Sequence, residues 1–282
     1  MDIDDILASV DRHDPSTPES TALDHQLLTR FWVAERGISE LLPWPGALMD
    51  RMMERVRRQI ETIEDLAAAA SSDPYTDPTT TTTTTNPTRN THQATANLTL
   101  SILQTDLSRT QYLLRSLLRQ RLSKLTQHSM HYLLLLSAPS PNTSQSQSQS
   151  QPQNDDLKPE DTIPTPDTTG PNPPLSAPEV QFLHAHQLLL AKHYGDAFLG
   201  SFPPQLRRLD DNAGGTSMVQ GPDAKEVVFV RCLVEEVRVV VPPGDGVEEE
   251  VLGGTAMRMG DVWAVRWEGV RGAWGRGEVE VL

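Results

Sequence analysis

Two histidines, His128 and His131, stand three residues apart near the end of a leucine-rich segment. Side chains at that spacing are neighbours on a helix, so the two imidazoles could share a metal ion. The sequence offers no further ligand nearby, and histidines facing solvent at a helix end explain the pair equally well. His184 and His186 point to different sides of their predicted helix, which weakens a joint site there. We therefore expect no metal and no cofactor.

The sequence also lacks the motifs of the common catalytic classes. It contains no GxxxxGK[ST] phosphate loop, no HExxH, no CxxC pair and no GxSxG nucleophile elbow. Its single cysteine, Cys232, lies in an apolar run and is expected to be a small core residue. One cysteine cannot form a disulfide framework, which favours a reducing compartment. We therefore expect a protein that is not an enzyme.

Basic residues are concentrated in the leucine-rich segment: Arg109, Arg115, Arg119, Arg121 and Lys124. Asp106 is the one acidic residue of this segment. Such an excess could contact phosphates, the acidic residues of a partner, or water. The whole chain carries a formal net charge of -14, which disfavours general binding to duplex DNA. We favour a partner or solvent for Arg115, Arg119, Arg121 and Lys124, and keep a nucleic-acid-binding adaptor as the alternative function.

The composition predicts linkers as well as folded parts. Only 37% of the 282 residues are hydrophobic and 22 are proline, which is lean for a chain folded throughout. Residues 71–96 are rich in threonine, residues 137–174 in Ser-Gln repeats and then proline, and residues 210–223 form a glycine-bearing hinge. No signal peptide is visible, and the longest apolar run is too short to span a bilayer. We expect a soluble, intracellular protein.

Four segments show helical periodicity. The first predicted helix runs from about Thr21 to Arg36 and ends before two prolines, and the second from about Ala47 to Ala70. The third starts near Asn97 and continues to the leucines around residue 136. The fourth is capped by Ser176, with a proline in its first turn. These segments predict an N-terminal helical bundle.

The third predicted helix carries more leucine than one packing interface requires. Its stripe comprises Leu103, Leu107, Leu114, Leu118, Leu122 and Leu125, with Leu113 and Leu117 beside it. A helix that is apolar over so much of its circumference must be buried on more than one side. The other helices could supply all of this cover. Because the helix is about 38 residues long and the core is lean, we favour a second protein.

The pattern changes after the hinge. The stretch EVVFVRCLVEEVRVVV predicts two strands before a turn at PPGDG, and VWAVRW and GEVEVL predict further strands, interrupted by the glycine-bearing EGVRGAWGRG. The fold class is therefore α+β. We expect an N-terminal arm (1–18), a helical domain (19–209) with insertions at 71–96 and 137–174, a linker (210–223) and a small β-rich domain (224–282).

The first ten residues, MDIDDILASV, form an acidic and apolar arm. Ile3, Ile6, Leu7 and Val10 fall at i, i+3, i+4 and i+7, one face of a helix, and three aspartates precede or interrupt them. About ten residues are too few for a stable isolated helix. The arm could dock on its own domain or fold into the groove of a partner.

The order of these blocks resembles the GINS complex and, within it, the Sld-five subunit family (GINS complex subunit four). The resemblance rests on YLLRSLLRQRLSKL, with Tyr112, Leu118, Arg119, Arg121, Leu122 and Lys124, and on Phe202, Pro203, Pro204 and Leu206. It also rests on Phe229, Val230 and Arg231, which match a family strand pattern F-[LV]-R. The C-terminal pattern is matched by Gly260, Arg266, Trp267, Gly277 and Val279. In this subunit family the helices precede the strands, whereas two sister subunits carry the β module first. The long insertions are not family features.

The resemblance implies a non-catalytic nuclear subunit. GINS is a heterotetramer of Sld-five with three Psf subunits, and it joins the MCM ring and a RecJ-like cofactor in the replicative helicase. The helical interface would use Leu103, Leu107, Tyr112, Leu113, Leu114, Leu117, Leu118, Leu122 and Leu125. The β-domain interface would use Phe229, Arg231, Arg266, Trp267, Val279 and Val281. No membrane contact and at most indirect or weak DNA contact are implied.

The resemblance also bears on the N-terminal arm. In fungal members, a DDIL box binds the trimeric replisome hub of the Ctf-four/AND-one type, and here Asp4, Asp5, Ile6 and Leu7 match it, followed by Val10. A short peptide that orders on docking binds with modest affinity, which a trimeric partner can raise. We favour a hub-docking peptide over an arm packed on its own domain.

Overall fold

The computed structural model describes residues 18–71, 87–137, 159, 163–166, 175–203, 207, 219–240 and 254–282. The predicted docking peptide, with Asp4, Asp5, Ile6, Leu7 and Val10, lies outside the described residues, as do the PPGDG turn and most of both insertions. Helices come first and strands follow: α1 (Pro18–Gly37), α2 (Gly46–Ser71), α3 (Pro87–Gln127), α4 (Ser129–Ser137), α5 (Ala177–Ala197), β1 (Val227–Cys232), β2 (Glu236–Val239), β3 (Thr255–Arg258), β4 (Val262–Arg266), α6 (Trp267–Gly275) and β5 (Val279–Val281). A 3₁₀ turn, Leu199–Ser201, follows α5.

The predicted fold class, a helical bundle followed by a small β-rich part, is confirmed. All four predicted helices are present. The third starts ten residues earlier than predicted, at Pro87, and His128 divides its C-terminal part into α3 and α4. The backbone N–H of His128 still donates to Lys124 and its carbonyl accepts from Tyr132, as in a continuous helix. The interruption is therefore confined to one residue.

The described residues form two compact units, one from the ranges 1–32 and 45–118 and the other from 33–44 and 119–282. The ranges of these units differ from the domains predicted on either side of residues 210–223. That domain boundary stays a prediction. Helices α1 and α3 contribute residues to both units.

Polar contacts tie the three helical segments of the first unit together. The buried carboxylate of Asp24 on α1 pairs with Arg51 and Arg55 of α2, each at 3.0 Å. The amide of Gln59 on α2 donates to the carbonyl of Leu103 on α3 at 3.0 Å. All three segments also contribute buried apolar side chains: Leu28, Leu48, Met49, Met52, Leu114 and Leu117.

The helical part of the second unit surrounds a core of nine buried residues: Leu41, Leu125, Tyr132, Leu133, Ile163, Leu175, Val180, Leu183 and Ala191. Helix α5 begins where the sequence predicts, because Ser176 precedes it and its N–H donates to the Glu179 carboxylate at 2.9 Å. Ile163 belongs to the range predicted as an insertion, yet it is a core residue. At least this part of the insertion is fixed to the helices by apolar burial.

The described residues of the β-rich part form two small sheets. Strand β1 lies between β4 and β5, antiparallel to both, and β2 pairs with β3 in a separate two-stranded sheet. Burial alternates along β1, with Val228, Val230 and Cys232 inside. Two elements were not predicted: the short strand β3, and α6, which occupies most of the glycine-bearing stretch that was expected to interrupt the strands.

Candidate partner-binding surfaces

Arg121 lies at the centre of a buried ion network in the second unit. Its side chain is 1% exposed, and Nη1 donates to Glu35 Oε2 at 3.1 Å and to the Leu42 carbonyl at 2.8 Å. Nε and Nη2 donate to the two carboxylate oxygens of Glu179 at 2.6 and 3.1 Å. The guanidinium carbon also lies 5.1 Å from the centre of the Trp44 ring. Arg121 therefore has its hydrogen-bond partners within its own chain.

Lys124 extends this network by one helical turn. Its Nζ donates to Glu35 Oε1 at 2.7 Å and to the Glu40 carbonyl at 3.0 Å. Burial lowers the pKa of Lys124, and the negative charge of Glu35 opposes that shift. Glu35 is 0% exposed, so a fully buried carboxylate is held between two cations. The structure thus places Arg121 and Lys124, two of the four predicted charge contacts, inside the chain.

The loop between α1 and α2 connects this network to the β-rich part. The Glu40 carboxylate accepts a hydrogen bond from Trp267 Nε1 at 2.7 Å and pairs with Arg271 at 2.9 Å, both on α6. One residue earlier, the N–H of Ser39 donates to the Glu226 carboxylate at 3.0 Å. The β-rich part is therefore held against the helices by contacts to residues 39 and 40.

The other two predicted charge contacts, Arg115 and Arg119, lie on the exposed surface of α3. Arg115 donates a long hydrogen bond of 3.5 Å to Gln111, within the same helix. With Arg121 and Lys124 internal, the basic surface proposed for nucleic acid loses half of its members. This placement weakens the alternative of a nucleic-acid-binding adaptor.

The predicted helical interface divides into three sets. Leu114, Leu117 and Leu125 are buried, and Leu103, Leu107 and Leu113 are half-buried. Tyr112, Leu118 and Leu122 are exposed. The chain therefore covers the first set by itself, and the exposed set lies on the surface of α3.

Helix α5 exposes apolar side chains on several sides. The sequence predicts an apolar face of Val180, Leu183, Leu190, Tyr194, Ala197 and Phe198. Val180 and Leu183 are buried, whereas Phe182, Leu188 and Leu189 are apolar and exposed, Leu189 by 66%. The run of three leucines, Leu188 to Leu190, was the available signal, since consecutive residues cannot share one helical face. A helix that is apolar on nearly every side is typically buried on every side.

Three aromatic rings lie at the C-terminal end of α5 and in the residues that follow it. The rings of Tyr194 and Phe198 have centroids 5.8 Å apart, and those of Phe198 and Phe202 are 6.3 Å apart in an edge arrangement. All three are exposed, although each ring contacts its neighbour. Rigid aromatic side chains of this kind are enriched where proteins bind one another.

The predicted β-domain interface also divides in two. Phe229, Arg231 and Arg266 lie on the outward face of the three-stranded sheet, where Phe229 is 60% exposed and Val227 and Val262 add apolar area. Trp267, Val279 and Val281 are instead buried in the core of the β-rich part. Burial follows from strand alternation, because Val279 and Val281 point away from the outward Glu280.

His128 and His131, the pair considered for metal binding, lie where α3 passes into α4. Among the residues that the structure describes, no group of three or more His, Cys, Asp or Glu side chains could hold a metal ion. His128 Nδ1 lies 3.1 Å from the Gln220 carbonyl, and Cys232 is buried with Sγ 3.1 Å from the Val234 carbonyl. In the same described parts of the chain, no helix is both long enough and apolar enough to cross a membrane.

Comparison with known proteins decides the family. A model described as "GINS complex protein helical bundle domain" matches residues 59–198, and one described as "DNA replication complex GINS protein SLD5 C-terminus" matches residues 222–282. A Chaetomium globosum protein named DNA replication complex GINS protein SLD5 is 35% identical over 83% of this chain and 80% of its own length. The chain belongs to the GINS SLD5 family.

Two further SLD5 relatives agree in extent. The Yarrowia lipolytica protein is 32% identical over 88% of this chain and 75% of its own, and the Schizosaccharomyces pombe protein is 28% identical over 83% and 79%. The two family models match residues before and after position 210, and the C-terminal match begins at residue 222. The SLD5 resemblance therefore covers both the helical and the β-rich part.

Proposed function

We propose that this chain is a non-catalytic structural subunit of a GINS complex that acts in chromosomal DNA replication. The names of its relatives support this role, and the apolar circumference of α5 is the structural observation that supports it most directly. A helix of this kind is stable in water only when other protein surface covers it. Three sister Psf subunits would provide that cover.

The finer proposal assigns contact surfaces. In the second unit, Leu122, the exposed leucines of α5 and the aromatic side chains of Phe198 and Phe202 would contact a sister subunit. On the β-rich part, the outward sheet face would form a second contact, with Phe229 as its apolar anchor and Arg231 and Arg266 at its edge. Leu118 of the first unit is exposed and adds apolar area of its own.

The assembled complex would act within the replicative helicase in the nucleus, together with the MCM ring and a RecJ-like cofactor. Such a subunit positions other proteins and does no chemistry of its own. Residues 1–10 would link the helicase to a trimeric hub of the Ctf-four/AND-one type, with Ile6 and Leu7 as anchors. Replacing both with alanine should abolish hub binding and leave the tetramer intact.

The deciding experiment is co-purification of the tagged chain from cells, with identification of its partners by mass spectrometry. We expect three sister GINS subunits and MCM subunits. A Leu189→Asp variant should lose the sisters, because it places a charge in the covered surface. The matched control is Thr62→Asp, which adds the same charge to the outward face of α2, already rich in charged residues such as Arg58 and Glu61. A monodisperse monomer without partners would contradict the proposal.

A further inference from the structure

An open groove of about 520 Å³ lies between α1 and α3 in the first unit. Helix α1 lines it with His25 and Thr29, and α3 with Thr105, Arg109 and Tyr112, among others. The Tyr112 ring is 64% exposed at its edge. The groove is therefore a surface trough with an apolar floor and two groups that can carry positive charge.

The trough continues as an exposed apolar stripe along α3 towards its N-terminus. Leu98 and Ile102 are both exposed, and together with Thr105, Arg109 and Tyr112 they follow spacings of three and four residues, one face of the helix. From Leu98 to Tyr112 this face is about 21 Å long. A helical segment of ten residues, about 15 Å long, fits on it.

Charge restricts what can occupy the groove. His25 and Arg109 line it, and no carboxylate is among its lining side chains in the part of the chain that the structure describes. The two nearest acids in sequence already have partners: Asp24 pairs with Arg51 and Arg55, and Asp106 accepts a hydrogen bond from Gln59. An apolar segment that carries its own carboxylates would complement this surface.

We propose that residues 1–10 of this chain occupy the groove. Ile3, Ile6, Leu7 and Val10 would supply the apolar face, and Asp2, Asp4 and Asp5 the carboxylates for Arg109 and His25. The segment MDIDDILASV contains three aspartates and no basic side chain, so its side chains carry negative charge only. The occupied state is one in which the arm and the two helices form a single packed surface.

The covalent connection makes this docking geometrically feasible. His25 lies seven residues into α1, about 10 Å from the helix start at Pro18. Residues 11–17 can span up to about 24 Å, enough to reverse direction and run back along α1. A tether this short gives an effective concentration of order millimolar, so weak intrinsic affinity is sufficient.

The inference goes beyond the proposed function and does not depend on it, because both surfaces belong to this chain. Docking would cover Ile6 and Leu7, the residues proposed to bind the hub. The arm would then exchange between its own helices and an external partner. A partner that binds the released arm must compete with the groove.

Site-specific photo-crosslinking tests the proposal in the full chain, purified with whatever subunits accompany it. Replacing Tyr112 with p-benzoylphenylalanine puts a reactive aromatic ketone at the groove. We expect a crosslink to residues 1–10, identified by mass spectrometry after proteolysis. Arg109→Glu should reduce its yield about fivefold, the scale of one charge-assisted contact. Combining Arg109→Glu with Asp4→Lys and Asp5→Lys should restore it.

The matched control is Arg57→Glu, an equal change of charge on an exposed residue of α2 that pairs with Glu54 outside the groove. It should leave the crosslink unchanged. Capture of another subunit at Tyr112, or of no peptide, would overturn the proposal. So would an Arg109→Glu variant that crosslinks as strongly as the unaltered chain.

A second measurement avoids substitutions in the folded helices. Deleting residues 2–10 should open the groove, and a fluorescein-labelled peptide of residues 1–12 should then bind with an affinity that falls as salt rises. The same peptide with lysine at positions 4 and 5 should bind at least fivefold more weakly. Equal binding of both peptides, or no binding, would refute the docking. Failure here would leave co-purification with sister subunits unaffected, so the two proposals can fail separately.

Discussion

Replacing Arg121 with methionine should destabilise the protein strongly. Methionine has a similar length but no charge, so Glu179 loses both of its hydrogen bonds from Arg121, and Glu35 keeps only Lys124 as a cationic partner. Removing one partner from a buried ion pair costs about 3–5 kcal/mol, because the remaining charge is desolvated without compensation. Since Lys124 still contacts Glu35, we expect the lower end, about 3 kcal/mol. For a protein of this size that corresponds to a fall in Tm of about 6–12 °C.

Thermal unfolding of the complex in which the chain is purified measures this loss. The matched control is Arg57→Met, which removes an exposed ion pair with Glu54 three residues away on α2 and should cost under about 0.5 kcal/mol. Arg121→Lys should fall between the two, since lysine keeps the charge but cannot bind Glu179 through two parallel bonds. If Arg121→Met loses no more stability than Arg57→Met, the network does not stabilise this fold, and the reasoning from burial fails.

Substitutions at Tyr132, Gly200 and Gly275 probe the second unit. Burial raises the pKa of Tyr132 to about 12, above its unfolded value near 10. The stability that Tyr132 contributes through this shift is therefore full below pH 10 and is lost as pH rises from 10 to 12. Urea midpoints should show this loss, and Tyr132→Phe should remove the pH dependence. Tyr132→Phe should also cost about 1–3 kcal/mol at neutral pH, because the buried N–H of Leu41 loses its acceptor. Gly200→Ala should lower Tm, since the new Cβ would meet the Gly195 carbonyl oxygen at 2.9 Å, whereas Gly275→Ala meets nothing within 4 Å and should leave Tm unchanged or raise it.

The helices were predictable because their apolar periodicity is local information. Val180 and Leu183 recur at helical spacing, and prolines or a capping serine mark the ends. The details of the first helix were wrong: its predicted face included Leu23 and Leu27, which are exposed, whereas Leu28 is buried. Helix α6 escaped prediction because glycine at three of its nine positions lowers helix propensity. Its Trp267, Val270 and Ala273 are buried, so tertiary packing stabilises it in spite of those glycines.

The candidate surfaces were predictable only in part, because burial of a side chain depends on residues distant in the chain. Arg121 reads as one of several surface charges, and its carboxylate partners lie 86 and 58 residues away in Glu35 and Glu179. No local pattern announces such a pairing. Strand alternation, in contrast, could have separated Phe229 on the outward sheet face from Val279 in the core.

Glu40 gives the second unit a particular mechanical property. Its carbonyl oxygen accepts a hydrogen bond from the Lys124 ammonium of α3. Its carboxylate accepts a hydrogen bond from the Trp267 indole and pairs with Arg271, both on α6. Losing the hydrogen bond from Lys124 or from Trp267 would shift Glu40 and so weaken the other contact. Substitutions of Lys124 and Trp267 should therefore have non-additive effects on stability in a double-mutant cycle. Melting of the C-terminal sheets and of the helix end should accordingly occur in one cooperative step.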